Sequence, residues 1–174
     1  IVPKISNSIV HLGAMDWKPN IEGVDWFLKT IAPYIKKNIK MYIAGKNMPK
    51  RYINYNSDNV IIKGKINNAT KYISNKQIMV VPLLSGSGIR IKILEGMALG
   101  IPIISTAKGA QGIPCKDREN ILIANTSADF VKAIHLLIND KKLAEKIGNN
   151  GQRLIQQKFS KKSIITKWVN IINK

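Results

Sequence analysis

The segment that most limits the fold is residues 77–82 (QIMVVP), a near-continuous apolar run that passes into the turn Leu84-Ser85-Gly86-Ser87-Gly88. A strand without polar and apolar alternation is one covered on both faces, as in a parallel sheet flanked by helices. The rest of the chain supplies the other parts of such a sheet. Apolar runs at 8–13 (SIVHLG), 39–44 (IKMYIA), 59–64 (NVIIKG), 101–105 (IPIIS) and 120–124 (NILIA) are read as strands, with Pro102 confining the pairing of its strand to the later residues. Between them lie helical patterns. Val24, Phe27, Leu28 and Ile31 recur at spacings of three and four after Pro19-Asn20, and Ile89, Ile93 and Met97 share one face of 89–99. A loop or short helix is predicted at 48–55, a short helix at 68–74, and helices at 127–138, 141–147 and 161–172, with a turn or continuation through Gly148 and Gly151. Strands that alternate with helices predict an α/β, doubly wound, mostly parallel open sheet of Rossmann-like type, which binds ligands beyond the carboxyl ends of its strands.

Composition removes several classes of function. A lone cysteine, Cys115, with His11 and His135 far from it in sequence, gives neither an internal disulfide nor zinc-ligand spacing, so no metal is expected. No window approaches the ~18 uncharged apolar residues of a membrane span. Lys and Arg number 28 against 10 acids, a formal charge of +18, which raises nucleic acid as a partner. Only Arg51, Arg90, Arg118 and Arg153 are arginines, however, whereas base readout and bidentate phosphate gripping favour Arg. A solvated lysine-rich surface is the expectation, with no nucleic-acid partner. The chain opens on Ile1 rather than Met, in a stretch that lacks the parts of a signal peptide, and is expected to be a piece of a longer protein.

The chemistry concentrates in residues 82–100 (PLLSGSGIRIKILEGMALG). Gly86 and Gly88 permit a tight backbone path at the end of a central strand, and a helix after them turns unpaired N–H groups and its positive dipole end to the same spot. Arg90 and Lys92 oppose that dipole, so they are either solvated cations or partners of a bound anion such as a diphosphate. Glu95 either accepts bonds from paired hydroxyls such as those of a ribose or forms a local ion pair with Lys92. Other phosphate motifs fail: there is no Gly-x4-Gly-Lys-Ser/Thr loop, and Ile91 stands where a dinucleotide fingerprint needs its third glycine. No serine sits on a nucleophile elbow, and Cys115 is read as an incidental thiol.

In order, HLGAMDWKPNIEGVDWFL, MYIAGKN, NVIIKGKI, VVPLLSGSGIRIKILEGMALGIPIIST and KGAQGI resemble the carboxyl-terminal donor-binding domain of group 1 (family 4) glycosyltransferases of the GT-B fold. The resemblance implies one half of a GT-B fold, residues 1–174 being the nucleotide-sugar-binding domain and a missing amino-terminal domain the acceptor site. It further implies retaining, hexosyl-type transfer from a UDP- or GDP-linked donor to a glycan or lipid-linked acceptor, with no cofactor. The expected place is the cytoplasm, with peripheral contact at the inner membrane face as an option, and the fragment alone is expected to bind donor without transferring it. Carried onto this sequence, Gly13, Gly45, Lys46, Gly64, Lys65 and Ile66 flank the nucleotide, and Ser85, Gly86, Ser87, Gly88 and Ile89 contact the donor. Glu95 holds the ribose, while Arg90 and Lys92 meet the charge on the diphosphate. The chain departs from the family pattern where Ser87 stands in place of its first Glu, where Ala14 stands in place of the Arg many relatives carry after the first strand, and at Pro19-Asn20-Ile21-Glu22-Gly23, the region of the Lys of the following turn; relatives use that Arg and Lys to grip the diphosphate. A noncatalytic nucleotide-binding domain and a basic nucleic-acid-binding module are the alternatives.

Overall fold

The computed structural model describes residues 3–55 and 57–159. In chain order the elements are β1 (Ile5–Leu12), α1 (Lys18–Thr30), β2 (Lys40–Ala44), α2 (Lys50–Ile53), β3 (Val60–Lys63), α3 (Ala69–Ser74), β4 (Lys76–Val81), α4 (Ile91–Ala98), β5 (Ile103–Ser105), α5 (Ala107–Ala110), β6 (Leu122–Ile123), α6 (Ser127–Asn139) and α7 (Lys141–Lys158). The helix predicted at 161–172 lies outside the described residues. The six strands form one sheet in the order β3-β2-β1-β4-β5-β6, and every pairing is parallel.

The apolar run that limits the fold is the central strand β4. Its side chains alternate between two cores: Ile78 and Val80 pack with Phe27 and Leu28 of α1 and Phe130 and Ile134 of α6, whereas Met79 and Val81 pack with Ile93 and Met97 of α4 and Ile73 of α3. Burial of each such side chain stabilises by roughly 1.5–3 kcal/mol, so both helical layers hold the sheet.

Several boundaries differ from the sequence reading, each for a local reason. Helix α4 begins at Ile91, not Ile89, because Gly86 and Gly88 take positive φ and Arg90 stays extended as the N-cap. Ile89 is thus half exposed in the loop and does not share the buried face of Ile93 and Met97. Strand β1 starts earlier than predicted, at Ile5, and its register against β4 shifts between Ile5 and Ile9 around Asn7, which has a φ of 51°. Only Leu122 and Ile123 of the run 120–124 pair as β6. The short helix α5 was not foreseen; the Thr106 hydroxyl caps it by accepting from the Gly109 N–H at 2.8 Å. Helix α7 continues unbroken through Gly148 and Gly151, since both lie where α7 crosses α4: a Cβ at Gly148 would overlap the Gly100 carbonyl, and one at Gly151 would lie 3.2 Å from Met97.

Candidate functional site

The sheet order places β1 beside β4, although the chain leaves β1 towards β2 and β3 on one side before it crosses over to β4 on the other. Their carboxyl ends therefore border the crevice in which sheets of this type hold ligands. A hollow of about 250 Å³ lined by Ile5, Gln77, Pro102, Lys141 and Glu145 opens at the opposite end of the sheet, but no buried unpaired polar group faces it among the described residues.

Four neighbouring strands, β3, β2, β1 and β4, end on the same edge, so parallel topology brings together positions far apart in the chain. Gly13 donates its N–H to Ala44 O at 3.0 Å, Gly45 to Gly64 O at 3.1 Å, and Met15 to Lys46 O at 2.9 Å. Gly45 has to be glycine, because a Cβ there would run into the Gly13 carbonyl. Gly64 has nothing within 4 Å of such an atom. The Lys46 ammonium is not free: it pairs with Asp16 at 3.4 Å, and Asn47 donates to the same carboxylate at 2.7 Å. Lys65 is exposed and Ile66 half-buried after β3.

After β4 the loop turns on Gly86 and Gly88, with φ of 97° and 82°. Among the described residues, the backbone N–H groups of Gly86, Ser87, Gly88 and Ile89 donate to no acceptor. Ser85 donates its hydroxyl to Glu22 of α1 at 2.5 Å, tying the loop to that helix. Arg90 is not a solvated cation. Only 5% exposed, it lies behind the loop rather than in solvent, donates from Nη1 to Ser87 O and to Gly88 O at 2.7 Å, and stacks on Trp17 with its guanidinium carbon 5.1 Å from the ring centroid. Among the described residues its Nε and Nη2 have no partner, and burial pushes its pKa down. A buried cation without a carboxylate is costly, and an anion in the loop would offset that cost.

Lys92, one residue inside α4, does not pair with Glu95. Its ammonium donates to Asn20 Oδ1 of α1 at 2.8 Å, and Asn20 Nδ2 donates in turn to Ala14 O at 2.7 Å. The amino ends of α1 and α4, from opposite faces of the sheet, thus converge on one point. That point adjoins Gly13, where a Cβ would sit 2.7 Å from Lys92 Nζ. Burial, and then the Arg90 charge, lower the Lys92 pKa to about 7. His11, on β1, is 2% exposed. Its Nδ1 lies 3.1 Å from Val80 O, and a carbonyl only accepts, so Nδ1 carries the proton and Nε2 is an unpaired lone pair. Burial and the neighbouring Lys92 ammonium push the His11 pKa down to about 3. Glu95 is exposed on α4 and, among the described residues, forms no ion pair, which leaves its carboxylate available.

His11, Asn20 and Trp17 were missed as site residues by the sequence reading. A polar residue inside the run SIVHLG was the available signal for His11. For Asn20 the resemblance marked only the segment 19–23, where relatives carry a Lys; its partner Lys92 lies 72 residues away and could not be read from local pattern.

The model of the family described as glycosyl transferases group 1 matches residues 6–140. An uncharacterized 44.6 kDa protein in the cps region of Klebsiella pneumoniae is 24% identical over 173 residues, covering 91% of this chain and 44% of that protein. TarM of S. aureus, in a complex with fondaparinux, α-GlcNAc-glycerol and UDP, superposes with a TM-score of 0.79 at 24% identity, over 99% of this chain and 36% of its own. The C-terminal domain of LpcC, a glycosyl transferase group 1 family protein of Francisella tularensis, gives 0.69 at 21% identity, over 92% of this chain and 89% of that domain. The chain therefore spans less than half the length of the first two and most of the third.

Proposed function

The chain belongs to the group 1 glycosyl transferases, and from that premise we propose that it is the half of such an enzyme that holds the nucleoside-diphosphate sugar. The observation that carries the proposal is the anion-deficient centre at the β1/β4 crevice. Arg90 and Lys92 lie next to unsatisfied N–H groups from Gly86 to Ile89, and neither side chain touches a carboxylate among the described residues. A diphosphate supplies the missing charge. TarM, of the same fold, is a UDP complex, which supports UDP over GDP as the carrier here.

The residues then divide the work by chemistry. The loop N–H groups and Lys92 meet the diphosphate oxygens, and Arg90 braces the Ser87 and Gly88 carbonyls so that those N–H groups stay aimed outward. Glu95 accepts from the ribose hydroxyls, while Gly45, Lys46, Gly64, Lys65 and Ile66 flank the base. When the bond from the anomeric carbon to the diphosphate breaks, negative charge grows on the leaving oxygen, and donors already in place stabilise it without reorganisation. We assign the retaining course, a glycan or lipid-linked acceptor and the cytoplasmic side to the complete two-domain protein. Ser87, exposed where the family pattern has Glu, favours one further reading, in which donor is bound but not transferred.

Calorimetry with UDP and uridine tests the site. UDP is expected to bind at least about tenfold more tightly than uridine, and Lys92→Ala to weaken UDP by ~1.5–3 kcal/mol, the worth of a charge-assisted bond. Equal affinity for the two ligands would remove the diphosphate seat.

A further inference from the structure

The crevice brings together three nitrogen-bearing side chains, His11, Lys92 and Arg90, from the ends of two strands, and none of them pairs with a carboxylate among the described residues. Lys92 Nζ has one oxygen partner, the Asn20 side-chain carbonyl at 2.8 Å, and that amide cannot rotate to offer its nitrogen because Nδ2 is held by Ala14 O. Every nearby carboxylate is engaged or turned away. Glu22 accepts from Ser85 and pairs with Lys18, Asp16 pairs with Lys46 and accepts from Asn47, and Glu95 lies exposed with no ion pair to Lys92. Of the helices packed on α4, α3 offers only Lys71 and Tyr72 as ionisable groups, and α7, whose ionisable groups are Lys141, Lys142, Glu145, Lys146, Arg153 and Lys158, meets Met97 of α4 at Gly151.

Building on the donor-binding reading, we propose that Asn20 is a positioning residue that holds the Lys92 amine over Gly13, and that this amine takes up a proton when a nucleoside diphosphate binds. The physical reason is charge balance. In the empty crevice burial and the charge of the Arg90 guanidinium both disfavour an ammonium at Lys92, whose partner among the described residues is a neutral amide, so the neutral amine is populated near neutral pH. A diphosphate reverses that balance, and the proton comes from solvent. His11 cannot serve as the acceptor instead, because the same burial keeps it neutral down to about pH 3. Gly13 belongs to the device, since a side chain there would displace the amine.

Calorimetry of UDP binding to the 174-residue chain at about pH 8, where the terminal phosphate of UDP is fully ionised, tests this in buffers of low and high ionisation enthalpy. The heat should depend on the buffer, with uptake close to one proton, and UDP affinity should fall up to about tenfold per pH unit above neutrality. Lys92→Arg, which keeps the charge but does not titrate, should bind UDP with no proton uptake and a flat pH profile. Asn20→Asp, equal in size, should also abolish uptake, because the new carboxylate protonates Lys92 before ligand arrives, and should weaken UDP by repulsion; Asn20→Gln should restore part of the uptake. Binding of UDP with buffer-independent heat in the unaltered chain overturns the proton linkage and leaves the donor site standing. Failure to bind UDP at any pH overturns both.

Discussion

Glycines 13, 45 and 64 look alike in the sequence, each closing an apolar run, yet their surroundings make them different residues. A Cβ on Gly45 would overlap backbone, on Gly13 it would meet the movable ends of Lys92 and Asn20, and on Gly64 it would meet nothing. Gly45→Ala is therefore expected to cost about 3 kcal/mol or more in urea unfolding, as backbone collisions have no rotamer escape. Gly64→Ala should stay within about 0.5 kcal/mol or gain slightly through the unfolded chain. Gly13→Ala should cost about 1 kcal/mol but lose most UDP affinity. Equal losses at Gly45 and Gly64 would mean that the loops are not laced as described. Arg90 shows the same gap between pattern and place: its position before a helix looked unfavourable, and the structure makes it a brace for two carbonyls.

Among elements, α4 and α7 decide how firmly the site is held. Helix α4 buries Ile93, Gly96 and Met97 and carries Lys92 on its crevice side and Glu95 on its exposed side. Its position depends on α7, which approaches closely because Gly148 leaves room for the Gly100 carbonyl. Gly148→Ala sets two effects against each other: better helix propensity, about 1 kcal/mol, and collision with backbone, about 1–3 kcal/mol. The collision should win, lowering the thermal midpoint and weakening UDP through a displaced α4. A raised midpoint would show that α7 has slack at the crossing. That α7 is one helix rather than two was not legible in the sequence, since paired glycines mark a break as readily as a close approach.

For the whole molecule, a formal charge of +18 and buried bases give acid sensitivity a definite form. Lys92 has a folded pKa near 7 against 10.5 for the ordinary group, so the unfolded chain binds more protons between those values and stability falls as pH drops from about 10 to 7. His11, near 3 against 6.5, adds a second fall from about pH 6.5 towards 3. Each slope approaches ~1.4 kcal/mol per pH unit where one proton is exchanged. Urea midpoints across pH should show both windows, with Lys92→Met erasing the upper and His11→Gln the lower. A flat upper window would place Lys92 in solvent. No helix among the described residues is long and apolar enough to cross a membrane.

The layered parallel sheet, the central place of β4, the strand ends that carry Gly13, Gly45 and Gly64 and the glycine turn at Leu84–Gly88 were all determined by local pattern, because apolar periodicity and glycine placement act over a few residues. Tertiary structure alone decided what those positions face. Lys92 meets Asn20 rather than Glu95, Lys46 meets Asp16, and Arg90 turns inward onto Trp17, since each contact joins segments that only the sheet order brings within reach. The charge state of Lys92 belongs to that second class for the same reason: burial and a neighbouring guanidinium set it, and neither exists until the chain has folded.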